Sequence, residues 1–173
     1  NMNKQIMLSV TGLTVVYHTE GVIKPALNNI SLSIDKAEIV GLAGPSGSGK
    51  TTLALCLLGL LPPVAEIVSG QVVFRGCNLH TADEKTLKSI RGKEIGAVFQ
   101  EPGAVLNPVM RIDSQLCEGM RWHLGLTRAE SRERAEQLLD EVGIPDPAGC
   151  LLSYPHQLSG GMQQRVLIAA AIS

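Results

Sequence analysis

No stretch of this 173-residue sequence is rich in charge of one sign: 15 Lys plus Arg stand against 16 Asp plus Glu, for a net charge of −1. A nucleic-acid binder held by phosphate neutralisation needs a basic block, so that class is set aside. Long apolar runs are missing as well. The longest nearly uninterrupted one, Leu53–Leu61, is about half of what a bilayer crossing requires. No charged segment followed by an apolar signal core opens the chain, and Asn1 ahead of Met2 reads as an added residue. There is no C-x-x-C pair. Cys56, Cys77, Cys117 and Cys150 are widely spaced, which favours reduced, mostly packed thiols in a cytosolic protein over a metal site. Charge of either sign makes up only 18% of the chain, below the usual share of about 25%, which argues against disorder. The length suits one domain that buries about 70% of its unfolded surface.

What is present begins with strands. Ile30–Ile34 alternates apolar and polar residues, the period of a sheet with one wet face. Glu38–Ala43 is apolar on both faces and β-branched, which predicts a strand buried inside a parallel sheet. Lys50–Leu61 reads as a helix apolar nearly all round, sunk in a core and stopped by Pro62-Pro63. Gln71–Phe74 is a further short strand, and Ile95–Phe99 a second inner strand with Gln100 at its carboxyl end. Beyond Glu101 the chain turns helical. Thr127 and Glu130 have the spacing of a capping box. Ala135, Leu138, Leu139 and Val142 then form one apolar stripe, closed by Gly143 and Pro145. The opposite face, with Arg128, Arg132, Glu133, Arg134 and Glu136, reads as solvated mixed charge. Trp122 reads as a core anchor of this helical region. A last helix starts near Gly161.

Gly44-Pro45-Ser46-Gly47-Ser48-Gly49-Lys50-Thr51 fits the phosphate-cradle pattern G-x-x-x-x-G-K-[ST] in full, between an expected strand and an expected helix. The glycines let successive amide hydrogens point inward and leave room for phosphate oxygens. The helix start adds partial positive charge. Lys50 supplies a full charge to the β- and γ-phosphates, the Thr51 hydroxyl is placed for Mg²⁺, and Thr52 can hydrogen-bond the α-phosphate. Nucleoside triphosphate binding follows, but many NTPase classes share this cradle.

Leu158-Ser159-Gly160-Gly161-Met162-Gln163-Gln164-Arg165 narrows the choice. Ser159 is a natural N-cap, and the two glycines leave bare amides where the last helix begins. One triphosphate rarely needs two such helix ends from one chain. Two chains packed head to tail do, each giving a cradle to one nucleotide and a helix end to the other.

These residues resemble those of the ATP-binding subunits of ABC transporters. GPSGSGKT is similar to their Walker A motif and LSGGMQQR to their signature. Phe99-Gln100-Glu101-Pro102 is similar to their Q-loop, and Tyr17 stands at the place of the aromatic residue that stacks on adenine. Leu106–Met110 and Tyr154-Pro155-His156 resemble the dipeptide, oligopeptide and nickel importers of bacteria and archaea. His156 reads as a shaper of its turn, and Met162 stands where many relatives have glutamine.

The resemblance implies an α/β fold: a P-loop NTPase (RecA-like) core with a small antiparallel β subdomain, over about 1–100, a helical subdomain over about 101–157, and the signature motif with its helix over 158–173. It implies ATP and Mg²⁺ as cofactors, with Lys50, Thr51 and Thr52 on phosphates and metal. Ser159, Gly160 and Gly161 would face the γ-phosphate held by a second ATP-binding subunit, homologous or identical. Gln100 would meet Mg²⁺ or the attacking water. The implied partners are that second subunit and integral membrane permease subunits, with no nucleic acid. The implied place is cytoplasmic, peripheral on the inner face of the cell membrane.

In the family the signature helix is followed by an apolar strand ending in Asp-Glu and by a switch histidine. The sequence carries no counterpart of that metal-binding aspartate, general-base glutamate or histidine. The expected fold is therefore incomplete at its C-terminal side, with Ile39–Leu42 lacking a neighbour strand. The expected function is the ATP-binding subunit of an importer that couples ATP hydrolysis to uptake of peptides or nickel, these 173 residues alone binding nucleotide weakly without turnover. The alternatives are a non-catalytic nucleotide-binding module that regulates a partner ATPase, and a soluble ABC protein outside transport.

Overall fold

The computed structural model describes residues 5–19 and 21–173; Asn1 and Met2 lie outside them. Packing divides the chain into two units, one up to Leu87 and one from Lys88 onward.

The first unit is built on an antiparallel sheet. β1 (Ile6–Thr19) pairs with β2 (Val22–Asp35) on one side and with β3 (Ala65–Phe74) on the other, and β4 (Cys77–Asn78) pairs with the free side of β3, giving the order β2-β1-β3-β4. Leu8, Val10, Leu13 and Val15 of β1 are buried with Leu27, Val72 and Phe74. The step from Val10 to Leu13 breaks the alternation of two. Register shifts between these residues mark a bulge at Gly12, φ +57°. The extra residue restores Leu13 and Val15 to the buried face. Ser31 Oγ accepts a bond from the Gly12 amide, and Thr14 Oγ1 one from the Asn29 amide, so the bulge keeps its donors satisfied. β3 turns into β4 through Arg75 and Gly76, both with positive φ, the conformation of a tight hairpin turn.

α1 (Lys50–Leu57) is shorter than the sequence predicts. Gly59, φ +63°, ends it. The Leu60 amide reaches the Leu55 carbonyl and the Gly59 amide the Cys56 carbonyl, a left-handed glycine cap, three residues before Pro62. Nor is the helix buried all round; Thr52, Leu53 and Cys56 form its covered side. α2 (Glu84–Ile90) spans the division between the units.

Four helices make the second unit: α3 (Ile112–Leu124), α4 (Arg128–Glu141), α5 (Pro147–Leu152) and α6 (Gly160–Ala171), with short 3-10 turns at Pro102–Ala104 and Pro155–Gln157. α4 follows its sequence signals closely. The Thr127 hydroxyl accepts from the Glu130 amide while the Glu130 carboxylate accepts from the Thr127 amide. Ala135, Leu138 and Leu139 are fully buried, and Val142 packs against the same core. Gly143, φ +79°, closes the helix with the Ile144 amide on the Leu139 carbonyl. Ser131, one turn before Ala135, is also fully buried, its hydroxyl bonded to the Arg128 carbonyl.

Three expectations are corrected. Glu38–Ala43 forms no strand, and Ile39, Val40 and Leu42 are exposed, Ile39 almost wholly. Ile95–Phe99 forms none either; one isolated bridge joins Arg91 to Ile95. Apolar character on both faces specifies burial but not a partner. A parallel strand exists only when neighbours supply its ladder, and no described segment pairs along either run. Trp122, read as a core anchor, is 77% exposed. The buried face of α3 is Ile112, Leu116, Cys117 and Met120, and Trp122 falls off that row. No helix among the described residues is long and apolar enough to cross a membrane.

Candidate functional site

The loop 44–49 wraps the start of α1. Gly47 and Gly49 sit at φ +79° and +86°. Gly49 is irreplaceable on space alone: a Cβ there would lie 2.5 Å from the Ala26 carbonyl oxygen and 2.7 Å from Leu27 Cδ2. β2 thus presses against the point where the loop becomes helix. Lys50 Nζ donates to the carbonyls of Gly44 (2.8 Å) and Pro45 (2.6 Å) and lies 3.4 Å from Ser48 Oγ. The ammonium is therefore anchored to its own loop, whose shape it stabilises, and remains exposed enough to exchange those carbonyls for phosphate oxygens. Ser46, Gly47, Gly49, Lys50, Thr51 and Thr52 line a cleft of about 400 Å³ with Pro25 and Ala26, within the range of small-molecule sites.

Thr51 is exposed at this cleft, and Thr52 is buried behind it. Tyr17 on β1 brings its hydroxyl 3.4 Å from Thr52 Oγ1, close enough for either to donate. The first unit therefore unites Tyr17, the cradle Gly44–Gly49, Lys50, Thr51 and Thr52. These residues fit a nucleotide phosphate chain: glycine-walled space, an ammonium held at the loop, a helix start and the threonine hydroxyls. They also fit Mg²⁺ held through phosphates and one hydroxyl; no group of three or more His, Cys, Asp or Glu suited to a metal occurs among the described residues.

The other candidates lie in the second unit. Ser159 caps α6, its hydroxyl accepting from the Met162 amide at 3.3 Å. Gly160 and Gly161 are exposed, with open space where a side chain would stand. The helix end is thus bare backbone turned to solvent. Met162 points the other way, packed on the core. Gln100 is exposed, between the extended run 95–99 and the turn Pro102–Ala104.

Sequence reading gave Gln163, Gln164 and Arg165 no individual roles. Gln163 Nε2 donates to the Pro155 (2.8 Å) and Leu158 (3.2 Å) carbonyls, bracing the turn before the signature. Gln164 Nε2 donates to the Phe99 carbonyl at 3.4 Å, beside Gln100. Arg165 Nη1 donates to the Val142 and Gly143 carbonyls, placing a cation on the C-terminal end of α4, where the helix dipole favours it. His156 stacks on Tyr154, ring centroids 5.7 Å apart, as expected of a turn-shaping side chain. Such roles depend on carbonyls 5 to 65 positions away, and a motif alone does not reveal them.

A cradle before one helix and a glycine-bare cap on another are the two halves expected of an ATP-binding cassette. The ABC transporter family pattern matches residues 27–173. This chain belongs to that family. It is similar to the peptidoglycan transport ATP-binding protein YejF of Agrobacterium fabrum, 42% identical over 99% of this chain and 32% of the relative. It is similar also to the dipeptide transport ATP-binding protein DppD of Escherichia coli, 40% identical over 96% of this chain and 51% of the relative. The chain thus spans about a third to a half of the length of these relatives. Among solved structures, a dimeric ATP-binding cassette in a post-hydrolysis state with ADP and Pi matches with a TM-score of 0.84. Its identity is 30%, over 96% of this chain and 69% of that one. The ABC cassette fold and the mixed α/β class are thereby established for this chain, although the two inner parallel strands are not formed in it.

Proposed function

We propose that this chain is the nucleotide-binding part of an ABC importer subunit that couples ATP hydrolysis to uptake of peptides or nickel. The observation that carries the reading is the pair of bare backbone sites, the Lys50 cradle and the Ser159–Gly161 helix end, in a chain whose relatives are named for peptide transport. Tyr17 supplies a ring for adenine. Gly44, Pro45, Ser46, Gly47, Ser48 and Gly49 supply inward amides, Lys50 the neutralising charge and Thr52 a hydroxyl for the α-phosphate. Thr51 would hold Mg²⁺ by its hydroxyl, and Gln100, from the second unit, would be a further ligand or meet the attacking water, as in the family it resembles; the ion would supply charge to offset that of the phosphates. Lys50 and Gln100 are the catalytic candidates this reading names, each from its own unit. Ser159, Gly160 and Gly161 serve the nucleotide of a second ATP-binding subunit, and permease subunits at the inner face of the membrane receive the work.

The sequence carries no general-base glutamate after an apolar strand and no switch histidine. The 173 residues therefore bind ATP weakly and do not turn it over.

Titration calorimetry with ATP and Mg²⁺ tests both parts. Lys50→Ala removes a charge-assisted bond of about 1.5–3 kcal/mol, so the dissociation constant rises roughly 10- to 150-fold. Equal affinity in the variant refutes the cradle. Sustained phosphate release by the parent chain, abolished by the same substitution, refutes the absence of turnover.

A further inference from the structure

On sequence alone the charged face of α4 reads as solvated mixed charge, but the fold sorts it. Arg128 and Arg132, one turn apart on α4, converge with Arg121 of α3 on a recess of about 90 Å³ that also has Asp113, Ser114 and Cys117 in its wall. Among the described residues no carboxylate forms an ion pair with any of these three guanidinium groups. The acids that might have neutralised them are turned elsewhere: Glu130 is bonded to Thr127, and Glu141 pairs with Arg134. Asp113 offsets one charge, so the recess carries a net charge of about +2 against a chain total of −1.

Trp122 stands next to Arg121 in sequence, and Ser114, Glu118 and Trp122 follow each other along α3 at intervals of four. The chain's single tryptophan is 77% exposed, about two turns along α3 from Ser114 in the recess wall. Tryptophan and arginine together are the residues that dominate protein interfaces.

We infer that this face of α3 and α4 binds a short acidic segment of a partner protein, its carboxylates on Arg121, Arg128 and Arg132 and an apolar residue against Trp122. Arg forms forked bonds to carboxylates, and three exposed guanidinium groups without an ion-pair partner share one recess. An extended polyanion is a poorer fit, because Asp113 and Glu118 would meet its charge at the same surface. A short peptide places its carboxylates on the arginines alone and offers backbone donors to Asp113.

The single tryptophan makes the surface directly readable. An acetylated oligoglutamate peptide with one central leucine, titrated into the chain at low salt, should change Trp122 fluorescence saturably. The affinity should fall as salt is raised. Arg128→Gln with Arg132→Gln should weaken binding about five- to twentyfold, from up to about fivefold per exposed pair. Arg121→Gln alone should weaken it less, and Arg134→Gln, outside the recess, should leave it unchanged. Circular dichroism confirms that each variant keeps its helices; the single variant carries the test if the double one melts early. The inference is overturned if the peptide leaves Trp122 unaffected, or if the recess substitutions do not weaken binding. It is equally overturned if inorganic phosphate competes at the same concentration, marking a free-anion site. Arginine-dependent self-association of the chain in place of peptide binding would assign the face to a second copy and overturn it too.

Discussion

Gly70 shows how one residue can hold a sheet in register. It sits at φ +86°, and a Cβ there would collide with the carbonyl oxygens of Gly12 and Thr11 across the ladder, where the β1–β3 register shifts. Gly76 has a similar φ, +82°, with nothing within 4 Å. Alanine at Gly76 should therefore cost about 1 kcal/mol from conformation alone. Gly70→Ala adds the collision and should cost about 2–4 kcal/mol. Thermal unfolding of the two variants side by side checks this, and equal losses would mean that the close approach carries no energy.

The cysteines make a second residue-scale case. Burial pushes the Cys56 thiol up to about 11, and it raises Cys117 and Cys150 as well. Cys77 is the one cysteine that is not buried. Thiolate is the reactive form, so a thiol reagent at neutral pH should modify Cys77 first, as read by mass spectrometry of digested protein. Comparable labelling of Cys56 in the native chain would contradict the packing described for α1.

At the scale of elements, α4 is a helix whose two ends are both closed by local chemistry, and the rest of the second unit leans on it. Its start is the reciprocal Thr127–Glu130 pair, with the Glu130 carboxylate accepting from both the Thr127 amide (2.8 Å) and hydroxyl (2.6 Å). Those bonds hold the Glu130 carboxyl below its ordinary value of 4.5. A depressed carboxylate stabilises the fold at pH above its unfolded value. That contribution fades as pH falls below 4.5 and through the lower folded value. Thr127→Ala should cost about 1 kcal/mol at neutral pH, and it should also flatten the acid limb of the stability curve. Chemical denaturation at neutral pH and in the acid range reads both effects; an unaltered acid limb would detach Glu130 from the cap. At the far end, Arg165 of the signature helix covers the last carbonyls of α4, so the helix that presents Ser159–Gly161 is braced by a neighbour that local signals make rigid.

At the scale of the whole molecule, the apolar segments that found no ladder dominate its behaviour in solution. Ile39 is 99% exposed, with Val40 and Leu42 beside it in the first unit, while Val98 and Phe99 are exposed in the second. Such exposed apolar runs, outside any sheet ladder, are sites for pairing with another chain. The chain should self-associate in a concentration-dependent manner, and Ile39→Lys should reduce that association without lowering nucleotide affinity. Sedimentation velocity across a concentration series reads the first effect, and calorimetry with ATP the second. A monodisperse parent chain at high concentration would show that these segments are protected.

The amino-acid sequence by itself determined what short-range chemistry controls. The cradle Gly44–Thr51, the Ser159 cap, the Thr127–Glu130 box and the Gly143 stop each depend on residues a few positions apart. Only the tertiary structure decided which apolar runs acquire partners and that Trp122 faces solvent. It also decided that Arg121 joins Arg128 and Arg132. The physical reason is the same throughout: a cap or loop closes over neighbours in the chain, whereas a ladder, a buried face or a charge cluster is made by groups that only folding brings within reach.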